Sequence, residues 1–244
     1  MNEQSNAPMP SGTPGFAGWF STWMTAVTKP NEQTFAEMAE HPDAQSNNRA
    51  FIWVFLAGTI AALISGILQA ILQLAGVASQ VPGLGDLFGG NVQRGIGATL
   101  GIAICSSPVA GALGTLGFAI GVGVIQWIAK MFKGTGTYSQ LAYTMAAITV
   151  PFTLVSSILT PFSSILYVGY CISGISVLLG LYALVLQLMA VKGVNKFGWG
   201  QALGSVLLPG LVLACCVVVV IAVMVSLGAA VGETFNSINQ TITP

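Results

Sequence analysis

Apolar residues run through this chain in blocks far longer than a soluble core needs, with polar residues gathered in short breaks between them. About 20 apolar residues carry a helix across the hydrocarbon of a bilayer. Five blocks meet that length: Phe51–Val77, Pro108–Ala129, Leu141–Thr160, Ile165–Ala190 and Leu203–Ala230. The pattern therefore predicts an all-α, polytopic membrane protein with five transmembrane helices. Residues 95–107 are apolar as well. Joined to the second block they would make a helix of about 52 Å, against a hydrocarbon core of about 30 Å. Ser106-Ser107-Pro108 is a natural break, because proline disfavours helical backbone in the residue before it. The expectation is a surface or re-entrant piece rather than a sixth span.

Ahead of the spans the pattern changes. Residues 1–14 are polar, carry Pro8, Pro10 and Pro14, and read as disordered with no signal-peptide pattern. Phe16, Trp19, Phe20, Trp23, Met24 and Val27 then recur at spacings of three and one, which is one face of a helix. Aromatic residues on such a face suit the headgroup level of a bilayer, so an N-terminal interfacial amphipathic helix is expected. The competing reading is a face packed on the protein's own helices. Lys29-Pro30 ends it, Asn31–Glu40 is a short acidic helix, and His41–Asn48 is a polar linker. The organisation is thus 1–14, a cytoplasmic helix and linker over 15–48, a five-helix membrane domain over 49–231, and an outer tail over 232–244. Within the domain, Val81–Asn91 reads as a glycine-rich loop.

Composition agrees: 54% of residues are hydrophobic and 6% charged, with mean hydropathy +0.82. Soluble domains are about 25% charged. Net charge is zero, which implies no nucleic-acid partner. Charge placement sets the orientation. With the N-terminus in the cytoplasm and five spans, Lys29, Arg49, Lys130, Lys133, Lys192 and Lys196 fall inside and Arg94 outside. That is the distribution the positive-inside rule predicts, and it puts the C-terminus on the outer side.

The spans carry no Asp, Glu, Lys, Arg or His well inside them. This argues against ion-coupled transport, proton relays and intramembrane protease chemistry. No nucleophile–base constellation is visible, so no catalytic, cofactor or metal residues are assigned and an enzyme is not expected. The one histidine, His41, reads as structural. Cys105, Cys171, Cys215 and Cys216 lack zinc or CxxC spacing and read as small buried hydrophobes. Gly83-x-Gly85-x3-Gly89 and Gly134-x-Gly136 lack the context of a phosphate loop. Asn239-Gln240-Thr241 is a chance glycosylation sequon.

Packing cues remain. Pro151 in the third span predicts a kink. Thr149, Thr153, Ser156 and Thr160 share one face beside it and serve either helix packing or a polar path for a solute. Gly117-x3-Gly121, Gly169-x3-Ser173 and Ser176-x3-Gly180 are small-xxx-small pairs that favour close internal contact. Gln69, Gln73, Gln126 and Gln187 should each face another helix, since an unpaired amide in hydrocarbon is costly.

From Lys133 to Pro151 a short Gly/Thr turn leads into Tyr138-Ser139-Gln140-Leu141, an apolar run and a proline. Upstream stand Trp23, Pro30 and Phe35; downstream, Pro161 and the apolar run Leu178–Val191 with a lysine-bearing loop. In order and spacing, from about Phe16 to Ala222, this resembles the Yip family, five-span membrane proteins named for interacting with Ypt/Rab GTPases. Lacking the long N-terminal domain of many eukaryotic members, it looks closer to the prokaryotic branch, which would imply the plasma (inner) membrane. The resemblance implies a five-helix bundle, N-terminus in and C-terminus out, with a trafficking-like role. No GTPase-contact residue carries over.

The expected function is a non-enzymatic membrane adaptor or organising protein. Its contact surface would be Phe16, Trp19, Phe20, Trp23 and Phe35 with the two lysine loops. Expected partners are the lipid bilayer, proteins on the cytoplasmic side and a homo- or hetero-oligomer. The alternative is a channel or carrier for a neutral or lipidic solute along Thr149–Thr160, opened by Pro151.

Overall fold

The computed structural model describes residues 16–75 and 96–242. Over these residues the chain is helical: α1 (Phe16–Thr28), α2 (Glu32–Glu40), a 3-10 turn (Pro42–Gln45), α3 (Asn47–Leu74), α4 (Ile96–Met131), α5 (Tyr138–Leu159), a second 3-10 turn (Thr160–Ser164), α6 (Leu166–Asn195) and α7 (Trp199–Ile242). Among the described residues, α3 to α7 each contain a stretch long and apolar enough to cross a membrane. The start 1–14 and the loop 81–91 lie outside the described residues.

The bundle is built around α5. Every residue from Leu141 to Ile148 is buried. Small side chains make that enclosure possible: Ala142, Ala146 and Ala147 let neighbours approach from several sides. A capping box starts the helix. The Thr137 hydroxyl accepts from the Gln140 N–H at 3.3 Å, and the Gln140 side chain accepts from the Thr137 N–H at 2.9 Å. The Tyr138 hydroxyl donates to the Ala119 carbonyl of α4 at 3.0 Å. The helix continues unbroken through Pro151.

The expected break at Ser106-Ser107-Pro108 does not occur. α4 is one helix of 36 residues with Pro108 inside it. Proline lacks the N–H that would bond the carbonyl four residues back, here Ile104. The Ser107 hydroxyl donates to that same carbonyl at 3.0 Å and supplies the missing donor. Residues 96–107 are therefore the first turns of the second span, about 18 Å of extra length, not a separate surface or re-entrant piece. The same device recurs at Pro161. Its orphan is the Ser157 carbonyl, and Ser65 of α3 donates to it at 2.9 Å.

α3 and α4 run antiparallel in close contact, through residues other than the expected small pairs. A Cβ on Gly111 would lie 2.2 Å from Thr59 Oγ1, and one on Gly66 would lie 2.4 Å from Ala103 Cβ. Gly58 faces the Gly111 Cα. Gly58-x3-Ala62-x3-Gly66 thus meets Ala103-x3-Ser107-x3-Gly111. By contrast, Gly117, Gly121 and Gly180 meet no atom within 4 Å, and Gly169 sits against the Ser163 carbonyl of its own turn. Those pairs do not mark internal contacts. Lipid and protein interior are equally apolar, so spacing alone does not say which face a small residue serves.

Cys105, Cys171, Cys215 and Cys216 are exposed on outward faces rather than buried in the core. The reason is the same, since an apolar run satisfies either environment. α7 packs through its first turns, where Ala202 and Ser205 are fully buried; beyond them Leu211, Val218 and Met224 point outward. It runs on as helix to Ile242, through the segment expected to be a tail from Gly232, where no proline interrupts it.

Candidate functional site

Trp19, Trp23, Phe35 and the two lysine loops gather at one end of the bundle. α1 and α2 fold over that end as a cap. Trp53, in the second turn of α3, is its centre and is almost wholly buried. Trp19 and Trp23 of α1 meet its ring edge-on, with centroids 6.0 and 5.7 Å away. The Tyr143 ring of α5 lies 5.1 Å from it, and His41 stacks parallel to Tyr143 at 6.3 Å. Edge-on and offset aromatic pairs are each worth about 0.5–1.5 kcal/mol beyond area burial. The Tyr182 hydroxyl of α6 donates to the Val27 carbonyl at 2.6 Å and ties down the end of α1.

Packing divides the aromatic face of α1. Trp19, Trp23 and Ala26 turn inward, while Phe20 stays 60% exposed and Met24 45%. The side chain of Phe16 lies outside the described residues. Phe35 is fully buried among the core residues with Met38 and Ala39, so it supports the cap from beneath and is not part of a contact surface. Aromatic character alone did not separate these roles.

α2 is held by charge and by close approach. Asn31 caps it, accepting from the Gln33 N–H at 3.3 Å. Glu32 pairs with Lys192 of α6 at 2.5 Å, and Glu40 with Lys196 at 3.5 Å. Lys192 also lies 4.5 Å over the Trp199 ring. Gly193 passes beneath α2, where a Cβ would come within 2.6 Å of the Glu32 carbonyl. Arg49 pairs with Asp43 in the linker. His41 Nδ1 accepts from the Asp43 N–H at 3.3 Å, which is a structural cap. An open groove of about 530 Å³ lies beside α2, lined by Asn31, Gln33, Ala36, Lys196 and Phe197 among others.

A buried polar knot joins the two lysine loops. Gln126 Nε2 donates to the Gly136 carbonyl at 2.7 Å and to Asn195 Oδ1 at 3.1 Å. Asn195 Nδ2 donates to the Val191 carbonyl at 3.1 Å, and its own carbonyl accepts from the Thr135 N–H at 3.2 Å. Gln126 thus finds the helix partner its amide requires. Asn195 was not anticipated; its place at the end of an apolar run was the available signal.

Away from the cap, Thr149, Pro151 and Thr153 are half-buried, while Ser156 and Thr160 are exposed. The Thr160 hydroxyl donates to the Ser156 carbonyl of its own helix at 2.7 Å. Among the described residues no three His, Cys, Asp or Glu side chains come together as a metal site would need.

No curated protein and no solved structure matches the chain. The family model described as Yip1 domain matches residues 24–222, from the last turn of α1 to the middle of α7. With that match and five helices able to span a bilayer, this multi-pass membrane protein belongs to the Yip family.

Proposed function

We propose that the protein is a non-enzymatic membrane adaptor with a trafficking-like role, presenting the outward face of α1 to protein partners on the cytoplasmic side. One observation carries this reading: α1 is locked to the bundle through Trp19 and Trp23 while Phe20 and Met24, one turn apart, remain outside. A helix fixed on one side and apolar on the other is a preorganised contact face, which lowers the entropy cost of binding. The groove beside α2 extends the same end. The cytoplasmic assignment rests on Lys29, Arg49, Lys130, Lys133, Lys192 and Lys196 lying in or beside the cap and its loops.

The test is affinity purification of the full chain from native membranes in mild detergent, with and without Phe20→Ser and Met24→Ser together. These residues are outside the core, so the variant should keep its melting temperature. Stoichiometric partners should fall about tenfold or more, as expected for two large apolar contacts. Recovery of the same partners at unchanged stoichiometry would overturn the proposal.

A further inference from the structure

We infer that the end of α4 is a binding edge for the headgroup of an anionic lipid. Leu113, Leu116, Ile120, Val124, Trp127 and Met131 fall three and four apart and all point outward. This stripe covers about 21 Å from Leu113 to Trp127. It ends in Trp127 and Met131, 67% and 68% exposed, beside exposed Lys130 and Lys133. Apolar, then aromatic, then basic is the order in which a bilayer presents hydrocarbon, interface and headgroup.

The charges at this edge are uncompensated. Lys192, Lys196 and Arg49 are taken by Glu32, Glu40 and Asp43 of the cap. Lys130 and Lys133 make no ion pair among the described residues. Their turn is rigid: the Lys133 N–H bonds the Lys130 carbonyl at 3.0 Å, and the Gly134 N–H bonds the Ala129 carbonyl at 2.9 Å. This is a Schellman ending in which lysine, with φ 64°, holds the left-handed position usually given to glycine. A lysine there accepts backbone strain that glycine would not. The positive edge therefore fits a negatively charged headgroup reached from the lipid-facing side.

The test is native mass spectrometry of the full chain in detergent with equal amounts of phosphatidylglycerol and phosphatidylcholine of identical acyl chains. Wild type should retain more phosphatidylglycerol. Lys130→Gln and Lys133→Gln should each lower that preference, by up to about fivefold. Lys133→Gly relieves the left-handed backbone, so it should melt no lower than wild type and still lose preference. Lys196→Gly makes the same backbone change at φ 54° but removes a lysine paired with Glu40, and should leave preference unchanged. An unchanged preference in Lys133→Gly, or an equal loss in Lys196→Gly, would overturn the inference.

Discussion

At the scale of single residues, whether a glycine matters depends on which helix face it occupies. Gly111 and Gly117 belong to the same helix and the same composition class. One faces Thr59 and the Phe55 carbonyl; the other meets nothing within 4 Å. Gly111→Ala should therefore lower stability in detergent by about 1–3 kcal/mol through overpacking. Gly117→Ala should stay within about 0.5 kcal/mol of wild type. Thermal unfolding of the two variants side by side checks both, and equal melting would refute the α3–α4 contact. Such distinctions are not legible in sequence, because a membrane removes the contrast that marks a buried face in water. The same reasoning explains the outward cysteines and the divided face of α1.

At the scale of elements, the five apolar segments could be read directly, since length and composition are local. The Thr137–Gln140 capping box, which starts α5 three residues ahead of the expected Leu141, was not anticipated. Helix continuity could not be read either. Proline signals a break from its own covalent structure, yet its cost depends on who donates to the abandoned carbonyl. At Pro108 the donor is the adjacent Ser107 and the helix runs on; at Pro161, where α5 has already given way to a 3-10 turn, Ser65 arrives from another helix. Ser65→Ala and Ser107→Ala should each cost about 0.5–1.5 kcal/mol, the net worth of one hydrogen bond. Thermal melts of the single variants in detergent, compared with Thr160→Ala on the exposed face, would measure this. No greater loss than in Thr160→Ala would mean the prolines are accommodated some other way.

At the scale of the whole molecule, charge position carried more than any motif. The two lysine loops, Arg49 in the first turn of α3 and the acidic cap helix converge on one end. Reporter fusions at residue 2 and residue 244 should accordingly report opposite sides of the membrane, with the N-terminal fusion cytoplasmic. Both reporters on one side would refute an odd number of crossings. The candidate surface was half legible. Trp19, Phe20 and Trp23 form a group in the sequence, but Phe35 belongs to the core, and no pattern of spacing reveals that it is approached by a helix whose Gly193 lies far along the chain.

The pairing of Gln126 with Asn195 also sets a timetable. The two residues are 69 positions apart, so at about 5–20 residues per second Gln126 leaves the ribosome roughly 3–14 s before its partner. During that interval its amide has the Gly136 carbonyl but no Asn195 to bond, because the fourth span is unfinished. Chains that stall before Asn195 would hold only the local one of the two bonds that Gln126 donates, so the two lysine loops would stay unjoined until the fourth span is complete.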